Sequence, residues 1–189
     1  MPKWVWIVIA LGIVVLASVA FLWGSFFPSQ ERYREDVLTV LRGRGGLDPG
    51  LAFLLRGLEA DLNCRDEALC LRQENFSVAL ELAEEYENIL GDYQGRICQS
   101  GRLRPSPNDR AEHDKLCQLL GRLFKEVGGV KMNATLALQF LASNDADAAR
   151  PLLKRFLDRI LEHRERVLAI TEELQTITWL EPVLPAVKP

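Results

Sequence analysis

The sequence predicts an all-α protein: a single N-terminal transmembrane helix followed by a compact bundle of five to six helices. Three observations predict it. Residues 4–27 form a run of 24 positions without a charge. Beyond residue 29, apolar residues recur at spacings of three and four, the period of one helix face. No stretch alternates apolar and polar residues as a half-buried strand does. A chain of 189 residues with 48% apolar residues is too rich in core formers for a disordered protein. Its net charge of −3 leaves no basic excess for binding nucleic acid.

The first element is WVWIVIALGIVVLASVAFLW, residues 4–23. A helix rises about 1.5 Å per residue, so about 20 residues cross a hydrocarbon core of about 30 Å. Trp4 and Trp6 at one end and Trp23 at the other are placed for the two lipid–water interfaces, where indole rings collect. The alternative is a cleaved signal peptide, because Ser18-Val19-Ala20 fits a small-x-small site. Cleavage there would leave FLWGSFF at the new terminus, and a signal h-region is shorter than this run. An uncleaved anchor is therefore expected, in contact with the bilayer through residues 4–27. The short leading segment carries Lys3 and no acid. That favours a single pass through the inner (cytoplasmic) membrane with the N-terminus inside and the rest of the chain periplasmic or extracellular.

The chain divides into four parts: 1–28, a transmembrane signal anchor; 29–47, a membrane-proximal helix and Gly-rich hinge; 48–178, a helical bundle domain; and 179–189, a Pro-rich tail. Ser29 caps a helix to about Arg42 with Val37, Leu38 and Leu41 on one face. Asp48-Pro49 opens a second helix with Leu51, Leu54, Leu55, Leu58 and Leu62. Ala79, Ala83, Tyr86, Leu90, Tyr93 and Ile97 mark a helix over 75–97. After the loop QSGRLRPSPND comes a helix over 109–127, ended by Gly128-Gly129, then a short one near 132–142. The last helix runs over 146–178, with Pro151 in its first turn. Leu153, Phe156, Ile160, His163, Val167, Ile170, Leu174 and Ile177 form its heptad seam. Leu152, Leu157, Leu161 and Leu168 widen that seam into a bundle face.

Four cysteines, Cys64, Cys70, Cys98 and Cys117, lie in the predicted outer domain. An even count in an oxidising compartment points to disulfides, against the alternative of four buried thiols. Of the three possible pairings, Cys64–Cys70 with Cys98–Cys117 is preferred. The second bond would clip two helices together across the proline loop.

Catalytic signatures are absent from the sequence: no P-loop, GxGxxG, HExxH, GxSxG or Glu-x-x-His occurs. No catalytic residue, cofactor or metal is assigned, and no enzyme activity is expected. Glu112-His113-Asp114 are adjacent on a helix and point in different directions, so surface ion clusters are expected rather than a joint acid–base site. His163 stands on the apolar seam. It is either a pH-sensitive or partner-contacting position, or an edge histidine bonded to a nearby carboxylate. Glu81, Glu84, Glu85 and Glu87 read as a solvated helix face. Asn75 and Asn133 match glycosylation sequons that arise often by chance.

The tail carries Trp179, Leu180, Val183 and Leu184 between prolines. It either docks on a partner or folds back on its own bundle. These four residues and His163 are the candidate partner contacts. The expected role is an extracytoplasmic interaction protein of unknown partner: an accessory or assembly subunit of an envelope complex, or an immunity-type inhibitor. In layout, a signal anchor followed by helices, the chain resembles the inner-membrane spanins of phage lysis systems, with no shared motif. That resemblance implies a lysis protein as the alternative. The glycine and proline breaks depart from the long coiled coils of that family. A membrane-tethered enzyme is the remaining alternative.

Overall fold

A computed structural model describes residues 13–16, 18, 19, 29–43, 47, 57, 71–143 and 146–184. It is all-helical, with no strand among the described residues. Of the predicted helix over 51–62 only Gly57 is described, as helical, and Cys64, Cys70, Trp4, Trp6 and Trp23 lie outside the described residues.

Helix α1 spans Gln30–Arg42. Its start follows from the expected cap: Ser29 Oγ accepts from the Arg32 N–H at 3.3 Å. Tyr33, Val37, Val40 and Leu41 are buried along one face, and Gly43 N–H closes the last turn on Thr39 O. Helix α2 spans Gln73–Tyr93 and runs on as a π-helical turn, Gln94–Gln99. All six seam residues expected of it, Ala79 through Ile97, are buried.

Helix α3, Arg110–Ser143, departs from the expectation. Gly128-Gly129 does not end a helix, and the helices expected over 109–127 and 132–142 are one. The reason is packing. A Cβ at Gly129 would collide with the imidazole of His163, and one at Gly128 would meet Glu87 Oε1 at 3.5 Å. Gly129 admits the neighbouring helix closely instead of turning the chain.

Helix α4, Ala146–Gln175, ends before the expected residue 178. Thr176 breaks it, with Oγ1 donating to Glu173 O at 2.6 Å and accepting from Lys115 Nζ at 2.7 Å. Pro151 is the sixth helical residue, beyond the first turn where it was expected. It lacks the N–H that would bond residue 147. Ile177 is extended, and a 3₁₀ turn, Thr178–Val183, follows.

Helix α3 is the central helix. Cys98 pairs with Cys117, Gln94 meets Gly121, Gly91 meets Phe124, and Glu87 bonds Lys131. As one partner moves down α2, the other moves up α3, so the two are antiparallel. Helix α4 packs antiparallel on another side of α3. Lys115 reaches Thr176, Arg122 grips Glu173 through two bonds of 2.6 and 2.8 Å, and Glu126 bonds His163. Buried Leu116, Leu119, Leu120, Leu123, Val127 and Val130 of α3 face Leu153, Ile160, Val167, Ile170 and Leu174 of α4 in one core.

The buried face of helix α1 belongs to that same core. The Tyr93 hydroxyl donates to Leu41 O at 2.8 Å, fixing the end of α1 to α2. The tail likewise packs on its own domain. Leu180, Val183 and Leu184 are buried, and the 3₁₀ turn lies against α1 and α4.

No helix among the described residues is long and apolar enough to cross a membrane. Most of the expected span lies outside those residues. Its described part, 13–16 with 18 and 19, is helical, and Ile13, Val14, Val15 and Leu16 are 59–71% exposed.

Candidate functional site

A set of interlocked polar side chains gathers where α1 begins, α3 begins and the tail returns. It is built around Asp109, the residue before α3. Ser106-Pro107-Asn108-Asp109 forms the turn: Asp109 N–H donates to Ser106 O at 3.0 Å, and His113 N–H donates to Asp109 O at 2.8 Å as the helix starts. The Asp109 side chain is fully buried, where an unpaired carboxylate would be very costly. Its oxygens are met from three sides. Ser106 Oγ donates to Oδ2 at 2.6 Å, Gln30 Nε2 donates to Oδ1 at 3.0 Å, and Arg34 Nε donates to Oδ1 at 3.0 Å.

Arg34 continues the network to Glu112 Oε2 at 3.3 Å, and the Trp179 indole donates to the same oxygen at 2.7 Å. The guanidinium stands 5.8 Å from the Trp179 ring centre, within cation–π range. Tyr33 meets both Trp179 and His113 edge-on. One polar cluster thus binds α1, α3 and the tail together. The ion cluster expected at Glu112 is present, but it is partly buried and reaches across α1 and the tail. Adjacent residues do point apart on a helix, but α1 and the tail fill both directions, and each side chain meets a different member of the cluster.

His113 has a defined hydrogen-bond role. Its Nδ1 lies 2.6 Å from the Tyr33 hydroxyl, and its Nε2 lies 3.6 Å from Cys117 Sγ. Cys117 is disulfide-bonded to Cys98 with Cα atoms 5.7 Å apart, the pairing expected from the sequence. A disulfide sulfur has no hydrogen to give. The Nε2 position therefore carries the hydrogen, and Nδ1 accepts from Tyr33. Burial pushes the Tyr33 phenol upward, helped by the negative charges of Asp109, Asp114 and Glu112, so it remains a donor. Burial also lowers the His113 pKa from its ordinary value, against the opposing pull of Asp114.

A second group joins α3 to α4. His163 Nδ1 and Arg166 Nε each lie 2.7 Å from Glu126 Oε2. Burial would raise the Glu126 carboxyl, but the hydrogen bonds to His163 and Arg166 and the Arg166 charge outweigh it and hold it below the ordinary range. His163, half-buried beside Gly129, is thus engaged within its own chain. Of the tail candidates, Leu180, Val183 and Leu184 are in the core, and Trp179 is half-buried in the Asp109 cluster. Lys131 of α3 answers the acidic face of α2 at Glu87 and Glu84. Asn133 is buried with its amide donating to Gly129 O at 2.7 Å, so that sequon is closed to modification.

Tyr33, Arg34 and Asp109 were not singled out from the sequence. Tyr33 precedes Val37 and Leu41 at spacing four on the face already recognised. Ser106-x-x-Asp109 ahead of a helical period is a visible start signal. The link between the two was invisible, because 75 residues separate Arg34 from Asp109. Among the described residues no three His, Cys, Asp or Glu side chains are grouped to hold a metal ion. No family model matches the chain, and no curated protein or solved structure matches it.

Proposed function

We propose that the protein is a single-pass membrane-anchored helical domain that works outside the cytoplasm through protein–protein contacts, as an accessory subunit of an envelope complex or an immunity-type inhibitor. The exposed apolar helix at residues 13–16 carries this reading. Ile13, Val14, Val15 and Leu16 are consecutive, so at 100° per residue they cover most of the helix circumference, and all four are exposed. An apolar stretch exposed in every direction suits lipid and not water. Ser18 Oγ donates to Val14 O at 2.8 Å, so its hydroxyl needs no water either. The Cys98–Cys117 bond suits an oxidising compartment. On the domain itself, Met132 and Leu136, one turn apart on α3, are 54% and 41% exposed and supply an apolar contact.

Alkaline carbonate extraction of host membranes, followed by intact-mass analysis, tests the anchor. The full-length chain is expected in the pellet. Recovery in the supernatant, or a chain beginning at Phe21, overturns the reading. A photo-crosslinking residue at position 132 is expected to give a discrete adduct in membranes, and one at exposed Gln118 to give none. Equal labelling at both sites overturns the contact.

A further inference from the structure

We propose that Cys98–Cys117 is an exchangeable disulfide with a built-in direction: an incoming thiolate attacks Cys98 Sγ, and Cys117 departs as a thiolate stabilised by His113. The inference stands on the geometry around Cys117 and does not depend on the membrane reading.

The two sulfurs occupy unlike surroundings. Cys117 lies four residues after His113, on the same face of α3. The imidazole is held from behind by the Tyr33 hydroxyl at 2.6 Å, which leaves Nε2–H directed at Sγ at 3.6 Å. In the disulfide this contact is weak, because a bonded sulfur is a poor acceptor. It strengthens when Cys117 becomes an anion, since hydrogen bonds to charged acceptors are about twice as strong. Cys98 sits instead in the π-helical turn Gln94–Gln99, a backbone form frequent at functional positions, and among the described residues no side chain is placed to donate to its sulfur as His113 is to Cys117. Both cysteines are half-buried, not sealed in the core. Asp109, Glu112 and Asp114 oppose a negative charge on the neighbouring Tyr33 phenol, and Arg34 pairs with the first two.

The chemistry balances with a dithiol as reductant. One thiolate of the dithiol forms a bond to Cys98 Sγ as the Sγ–Sγ bond breaks, and the bonding pair leaves on Cys117. The second thiol of the reductant then displaces Cys98. The dithiol is oxidised to a disulfide, and the protein is reduced to two thiols, Cys117 taking its proton from solvent. Exchange rates rise as the pKa of the departing thiol falls. A donor at Cys117 therefore makes Cys98 the preferred point of attack.

The test uses the oxidised full-length protein in detergent. Reaction with glutathione and mass mapping of the trapped mixed disulfide is expected to find glutathione on Cys98. A mixed disulfide on Cys117, or on both equally, overturns the proposal. Reduction rates with dithiothreitol are then compared for His113→Leu and Tyr33→Phe. Both variants lose the same α1–α3 hydrogen bond, but only the first loses the Nε2–H donor. His113→Leu is expected to be reduced about threefold more slowly than Tyr33→Phe, because its departing thiolate has lost its donor. A staple that is merely structural would open equally fast or faster in His113→Leu, and either result overturns the proposal.

Discussion

The imidazole of His163 occupies the space beside Gly129 where any other residue would carry its Cβ. The ring is fixed there by Glu126 and Arg166, so α4 can approach α3 only because residue 129 has no side chain. Its neighbour Gly128 has only ordinary contact ahead of it, with Glu87 Oε1 at 3.5 Å.

Adjacent Gly→Ala substitutions should therefore have opposite signs. Alanine gains about 1 kcal/mol over glycine inside a helix. Gly128→Ala should stabilise by up to about that amount. Gly129→Ala should destabilise by about 1–2 kcal/mol, because overpacking outweighs the propensity gain. In a His163→Ala background Gly129→Ala should become neutral or stabilising. Urea unfolding of the four proteins of that cycle measures the coupling. Additive effects would mean that the ring does not set the helix spacing.

Two buried tyrosines differ in the same way. The Tyr93 hydroxyl donates to Leu41 O, whereas the Tyr86 hydroxyl has no partner among the described residues. Tyr93→Phe should cost about 1–2 kcal/mol. Tyr86→Phe should cost nothing and gain up to about 1 kcal/mol, because a buried hydroxyl without a bond is itself a penalty. Melting temperatures in the reverse order would contradict the assignment of the α1–α2 contact.

The tail is a core element over residues 178–184. Leu180 is fully buried. Leu180→Ala should cost about 2–5 kcal/mol in chemical denaturation, the range for a buried leucine. A loss below about 0.5 kcal/mol, as at a surface site, would return the segment to the role of a free docking arm.

His113 should make stability depend on pH. In the unfolded chain it takes up a proton near its ordinary value of about 6.5. In the folded protein, burial delays that uptake to lower pH. Between the two values the unfolded state holds the extra proton, so stability is complete above about pH 6.5 and declines as pH falls toward the folded value. The urea midpoint of the wild type should therefore drop more between about pH 7.5 and about pH 5.5 than that of His113→Gln. Parallel curves would show that the histidine titrates alike in both states.

What the residues determine alone is whatever depends on near neighbours along the chain. The Ser29 cap, the 4-3-4-3-4 seam from Ala79 to Ile97 and the α4 stripe from Leu153 to Leu174 were all legible, because a helix repeats every 3.6 residues and a cap acts within one turn. The Cys98–Cys117 bond was legible too, since a short proline loop between two helices returns one beside the other. Gly128-Gly129, the tail and His113 have no such local signature. A glycine pair ends a helix or lets another helix in, depending on whether a side chain such as His163 arrives from 34 residues away. Leu180 is buried because α1 and α4 leave room for it. His113 acquires its role from Tyr33, 80 residues earlier. Those outcomes were decided by tertiary packing, which chooses among conformations that local propensity leaves nearly equal in free energy.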